Sequence, residues 1–193
     1  MDERSNNGID RLSNIPESLI HGIFSFMDMR SVVQTSVLSR RWRNLWSSSP
    51  ILTFSFEMFT HGFKNIHSNR NHYQKFVKNI DQVLLVREIL GIQRINLLCG
   101  KQRNCDMSKL LTPSLNSWIF SARRRLIQEF YLDVSGVTVS RFSHPILNCS
   151  SLVKLELKLG QNSNLLVVPS SMNLSRLTFL KLDSFPSGGD VSL

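Results

Sequence analysis

Between residues 16 and 46 the apolar positions recur at helical spacing in three short runs. Leu19, Ile20, Ile23, Phe24, Phe26 and Met27 fall one, three or four apart, a wide stripe that predicts a first helix. Pro16 and Glu17 open it, a proline with its φ pre-set for a first turn followed by an acid at the positive end of the helix dipole. Asp28 offers a side-chain oxygen to cap a second helix, with Val32, Val33 and Val37 on its buried side. Ser39 does the same for a third, in which Leu38, Trp42, Leu45 and Trp46 fall at i, i+4, i+7 and i+8. A unit of roughly forty residues buries little surface and is marginal alone. Aromatic stripes at this spacing are ordinarily core, but a unit so small and so apolar also has side chains left over for a partner.

After Ser47-Ser48-Ser49-Pro50, a turn and a domain boundary, the pattern changes. The motif apolar-x-x-apolar-x-apolar occurs at Ile127/Phe130/Leu132, Leu152/Leu155/Leu157 and Leu177/Leu180/Leu182, each 25 residues after the last. It occurs upstream at Ile92/Ile95/Leu97 and, more weakly, at Ile51/Phe54/Phe56. A 25-residue period is that of leucine-rich repeats, in which each repeat supplies one strand and a return segment. Parallel strands need a crossover, and the earlier repeats have room for helices. Phe76, Val77, Ile80, Val83, Leu84, Ile89 and Leu90 form one helical stripe, and Leu115, Trp118, Ile119 and Ala122 another. The later repeats hold only Pro145-Ile146-Leu147 and Pro169 with Met172 to Leu174, which predict single turns. Phe130, Leu132, Leu155, Leu157, Leu180 and Leu182 are expected inside, with Tyr131, Glu156 and Lys181 outside. No polar cap follows Leu182, so the reading is either a piece of a longer product or an end covered by a partner or a short tail.

Hydrophobic content of 41% over 193 residues supports a packed core in one or two domains. Residues 1–9 are polar and aperiodic and are expected to be disordered; they match neither a signal nor a transit peptide, which points to the cytoplasm or nucleus. No apolar run is long enough to span a membrane. Cys99, Cys105 and Cys149 form no CxxC pair and read as reduced thiols. The net charge is +9, and residues 51–126 hold most of it, with twelve Lys/Arg against four Asp/Glu. That region, with Arg123-Arg124-Arg125, would attract nucleic acid, membrane headgroups or an acidic protein, or is simply a solvated face.

No phosphate-binding loop, dinucleotide fingerprint, nucleophile elbow or zinc-protease motif is present. His67 and His72 lie in an Asn-rich stretch and lack a third ligand. No carboxylate pair stands out as acid and base. The chain reads as a non-enzyme that needs no cofactor or metal.

The first forty-odd residues closely resemble the F-box, and more narrowly that of the plant F-box/leucine-rich-repeat families, many of which carry an FBD domain. The residues that carry the likeness are Asp10-Arg11-Leu12-Ser13, Ile15-Pro16-Glu17, Leu19, Ile23, Phe24-Ser25-Phe26, Thr35 to Ser39, and Arg40-Arg41-Trp42-Arg43-Asn44-Leu45-Trp46. Ile15 stands where leucine is usual, and Met27-Asp28 where Leu-Pro is usual. Weaker likenesses to the family's repeats follow at Phe76-Val77 with Val83-Leu84-Leu85, at Asn116-Ser117-Trp118-Ile119, at residues 150–157 and at residues 177–182. The resemblance covers residues 10 to about 185 and puts any FBD domain beyond Leu193. It implies an α+β chain: residues 1–9 disordered, a three-helix F-box over 10–50, and an α/β leucine-rich-repeat solenoid of about five short parallel strands over 51–193. It implies the substrate-recognition subunit of a SKP–cullin–F-box ubiquitin ligase in the nucleus or cytoplasm. The F-box would bind a SKP-family adaptor, and through it a cullin–RING ligase, while the repeats hold an unidentified substrate protein. The residues that match as docking anchors are Leu12, Ile15, Pro16, Leu19, Ile23, Phe24, Val32, Leu38, Trp42, Leu45 and Trp46, some of which must instead pack the F-box internally. The rival expectations are a basic repeat scaffold for nucleic acid or an acidic partner, and a truncated product without a ligase role.

Overall fold

The computed structural model of the chain describes residues 14–61, 70–87, 91–99, 106–137, 144–160 and 172–183. Leu12, Ile89, Leu90, Cys105 and Pro169 fall outside them, as do residues 1–9.

The N-terminal unit holds α1 (Glu17–Phe24), α2 (Met29–Gln34) and α3 (Arg40–Leu45), with 3-10 turns at Thr35–Val37 and Trp46–Ser48. The expected caps are made: Asp28 Oδ1 accepts from the Ser31 N–H at 3.0 Å, and Ser39 Oγ from the Trp42 N–H at 3.3 Å. Pro16 stands at the N-cap of α1, one residue before the first helical position, with no side-chain bond to offer. Val37 departs from expectation, being exposed rather than on the buried side of α2. The α-helix ends at Gln34 and tightens into a 3-10 turn, so the 3.6-residue period no longer carries Val37 inward.

The remainder is a parallel sheet in the order β1 (Ile51–Ser55), β2 (Arg94–Leu98), β3 (Glu129–Val134), β4 (Lys154–Leu159), β5 (Phe179–Asp183). Each strand is added beside the one before it, all in one direction. The short helix α4 (Phe56–Thr60) and then α5 (Arg70–Val86) lie between β1 and β2, and α6 (Asp106–Arg124) crosses from β2 to β3. The return from β3 to β4 includes a 3-10 turn at His144–Asn148. Helix α6 starts earlier than the stripe from Leu115 suggests and runs through Pro113. Leu111 and Leu115, four apart and both fully buried, anchor it on either side of the proline.

The repeat pattern is realised as register. Ile95, Phe130, Leu155 and Leu180 align across the sheet, as do Leu97, Leu132, Leu157 and Leu182. The first strand is the exception. Phe54 aligns with Leu97, not with Ile95, and Leu52 takes the place beside Ile95. The match to Ile51/Phe54/Phe56 is therefore two residues out of step. The position equivalent to Ile92 is Ser49, fully buried, whose hydroxyl donates to the Ile51 carbonyl at 3.0 Å. A buried serine satisfied by its own backbone hides the start of that repeat from an apolar search.

Along β1 to β4 buried and half-buried positions alternate strictly. A parallel sheet covered on both faces reads as a continuous apolar run; alternation means that one face packs and the other is polar. Phe130, Leu132, Leu155 and Leu157 are buried, with Tyr131 and Glu156 on the open face, as the register expectation requires. On β5 Lys181 faces out, but Leu180 remains 51% exposed and Leu182 only half-buried. One apolar core runs from Ile20 in α1 to Leu159 in β4, so the helical unit and the sheet share a single interior.

Candidate functional site

Two surfaces stand out, the outer side of the N-terminal helices and the open face of the sheet. On α1 the inward stripe is Ile20 and Phe24, both buried. Leu19 and Ile23, at i and i+4, point away from it with 61% and 44% of their surface in water, and Phe26, in the turn after the helix, is 90% exposed. Between α2 and α3, Val37 is 85% exposed and Leu38 53%. Five large apolar side chains on a unit of this size are more than scattered exposure explains, and such groups mark interaction surfaces.

The structure sorts the eleven matched anchors. Leu19, Ile23, Leu38 and Pro16 are exposed; Ile15 and Trp46 are half-buried against the core. Phe24, Val32, Trp42 and Leu45 are interior, and for these four the docking expectation gives way to packing. Phe24 and Trp42 hold each other edge to face, and Val32 and Leu45 close the same cluster. Leu12 lies outside the described residues. Phe26 and Val37 are exposed apolar residues that the matched anchors do not include. Phe26 carries a signal, since it follows Leu19 at i+7 and Ile23 at i+3, but an over-wide stripe hides it among its neighbours.

The unit is held to the sheet by polar contacts as well as by the shared core. The Arg30 guanidinium donates to the Phe59 carbonyl and lies over the Phe59 ring, 5.1 Å from its centre. Arg87, buried at the end of α5, donates to the Ser49 carbonyl at 2.5 Å. His21 Nε2 and Ser48 Oγ are 3.1 Å apart. The exposed apolar residues therefore stand on a frame fixed to the sheet and to α5.

The open face of the sheet is a ladder of mixed charge. Arg94 pairs with Glu129 at 2.7 Å, Lys154 with Glu156 at 2.9 Å and Lys181 with Asp183 at 3.6 Å. Asn96 donates to Thr53 Oγ1 at 2.9 Å. The Lys154 ammonium lies 4.9 Å from the Phe179 ring centre and that of Lys158 5.6 Å from Tyr131. The Tyr131 hydrogen bond is the main cause that holds the Lys158 ammonium above its usual pKa. A cavity of about 280 Å³ opens among Arg94, Asn96, Glu129, Tyr131 and Lys154. Among the described residues no group of three metal-ligating side chains converges, and no helix is long and apolar enough to cross a membrane.

The family comparison falls on the first of these surfaces. The F-box domain profile matches residues 12–54, which takes in α1 to α3 and nearly all of β1. The chain is 28% identical over 184 residues to an F-box/LRR-repeat protein of Arabidopsis thaliana, covering 94% of this chain and 54% of that one. It is 31% identical over 185 residues to a putative F-box/FBD/LRR-repeat protein of the same plant, covering 94% and 36% respectively. A second putative F-box/FBD/LRR-repeat protein is 34% identical over 175 residues, with 90% and 36% covered. The chain thus spans about half or less of the length of these curated relatives. The exposed residues Leu19, Ile23, Phe26, Val37 and Leu38 all lie within the matched segment: residues 12–54 are an F-box domain, in a chain similar over most of its length to the F-box/LRR-repeat proteins of Arabidopsis.

Proposed function

We propose that the chain is a substrate-recognition subunit of a SKP–cullin–F-box ubiquitin ligase. Residues 10–50 are the adaptor-binding F-box, and residues 51–193 are a leucine-rich-repeat solenoid that holds a substrate protein. What supports the reading most is the exposed apolar set Leu19, Ile23, Phe26, Val37 and Leu38 on a segment with the F-box signature. These residues insert into a SKP-family adaptor, with Pro16, Ile15 and Trp46 at the margins. Phe24, Val32, Trp42 and Leu45 act from inside, by fixing the angles at which the three helices present them. The sequential one-sided order of parallel strands supports the solenoid, and its open polar face is the natural place for a substrate protein. The subunit itself catalyses nothing; it brings two proteins together, in the nucleus or cytoplasm.

The test is binding of the full chain to a purified SKP-family adaptor. Phe26→Asp and Val37→Asp place a charge on a contact that must be desolvated. Each is expected to weaken binding by about tenfold or more while the circular dichroism is unchanged. Wild-type affinity in both variants would overturn the docking assignment.

A further inference from the structure

Helices α5 and α6 lie side by side and run in the same direction, since Trp118 Nε1 donates to Asp81 Oδ1 at 2.7 Å and Arg125, farther along, donates to the Leu84 carbonyl. Between their outer edges is a groove of about 780 Å³. It has two ends of opposite character. Asp81 and Pro113 lie at one, and Arg87, Arg124 and Arg125 at the other. Its lips are apolar: Leu85 is 85% exposed and Phe120 51%.

Arg125 is nine-tenths buried, yet it has no carboxylate partner among the described residues. It donates to the Ser121 and Leu84 carbonyls and to Ser121 Oγ, and its Nε has no acceptor among the described residues. The carbonyls at two helix ends offset part of its charge, and Arg124 beside it adds to the positive potential. Buried charge is normally paired, and all three ion pairs among the described residues lie on the sheet, on the other side of the layer. Residues 70–87 and 106–125 together hold eight Lys/Arg against Asp81 and Asp106. The groove therefore selects an anion, and its exposed apolar lips select one that carries a hydrophobic side chain.

We propose that the α5–α6 groove binds an acidic segment of a partner protein, whose carboxylates meet Arg124 and Arg125 while an apolar side chain lies between Leu85 and Phe120. A second copy of this chain, itself at +9, is repelled by the same potential. Nucleic acid offers the charge but gains less from apolar lips and meets Asp81 at the far end. The site is on the opposite side of the sheet layer from the open face, so a protein held there leaves that face free.

The test uses the full chain and a short fluorescein-labelled Glu-rich peptide with one central Phe. The comparisons are its analogue with Gly in place of Phe and a single-stranded oligodeoxynucleotide of equal charge. Arg124 and Phe120 are exposed, so Arg124→Glu and Phe120→Ala keep the fold, which circular dichroism checks. Saturable binding of the Phe peptide is expected, weakened about tenfold by Arg124→Glu. Phe120→Ala should weaken the Phe peptide to the level of its analogue, and Lys75→Glu, outside the groove, should change neither. The proposal is overturned by absence of saturable binding, or by an equal loss in Lys75→Glu, which would make the attraction merely the net charge. It is also overturned if the oligonucleotide binds more tightly with the same dependence on Arg124.

Discussion

The ring of Phe24 stands edge-on to the indole of Trp42, with centroids 5.7 Å apart and planes 73° to each other. This pair closes the F-box from within, and it separates two consequences that one tryptophan on a helical stripe would otherwise merge. Trp42→Ala removes a buried indole and the aromatic contact, at a cost of about 3–5 kcal/mol in folding stability. Val37→Ala, on a side chain 85% exposed, should fall within about 0.5 kcal/mol. Urea unfolding of the two variants checks this. A Trp42→Ala protein as stable as wild type would place the indole at the surface.

The helical stripe of the F-box is legible as a stripe, but not as two sides. Leu19 and Ile20 are neighbours in sequence and equally apolar, yet one is exposed and the other buried, because a stripe as wide as this covers more than the face the core can take up. Only the placement of α2 and α3 decides which edge is covered, and that depends on contacts across the fold. The repeats are legible from β2 onward because their period survives as register. They are illegible at β1, where Ser49 stands in for an apolar residue, and the reach of α6 past Pro113 is hidden by the residue that usually ends a helix. The α5–α6 groove leaves only the arginine run as a trace, since its lining comes from two segments about thirty residues apart.

The sheet should weaken toward β5. Leu155→Ala empties a fully buried position and should cost about 2–5 kcal/mol. Leu180→Ala, at the same register on the next strand but half exposed, should cost about half as much or less. Glu156→Ala breaks the half-buried pair with Lys154 on the open face and should stay within about 0.5 kcal/mol. Equal losses at Leu155 and Leu180 in chemical denaturation would mean that β5 is as well covered as β4.

Leu126, just past the end of α6, has a φ of +53°, the left-handed region that costs a side chain about 1–2 kcal/mol. Its side chain is exposed and contributes little in return. Leu126→Gly should therefore stabilise the fold by up to about 1 kcal/mol, net of the extra freedom glycine has when unfolded. A lower melting temperature for this variant would show that the leucine is packed.

Alkaline conditions should find the fold's weak point at Cys99. Its thiol is fully buried at the end of β2 and is pushed up to about 12 from 9.0, first by burial and then by the Asp133 carboxylate. The Tyr73 hydroxyl, which donates to the Cys99 carbonyl at 2.6 Å, is raised in the same direction, again chiefly by burial. Both groups are acids kept neutral in the folded state. Below pH 9 they are neutral in both states and cost nothing. As the pH rises past 9.0 the unfolded chain ionises its thiol while the folded chain does not, so the unfolded state binds fewer protons and stability falls, progressively, toward the folded value near 12. Stability measured by urea unfolding is expected to be lower at pH 10 than at pH 8, as values bracketing that threshold. A Cys99→Ala variant removes the thiol's share, so its stability should decline less between the same two pH values. An identical decline in the variant would assign the alkaline loss to groups other than this thiol.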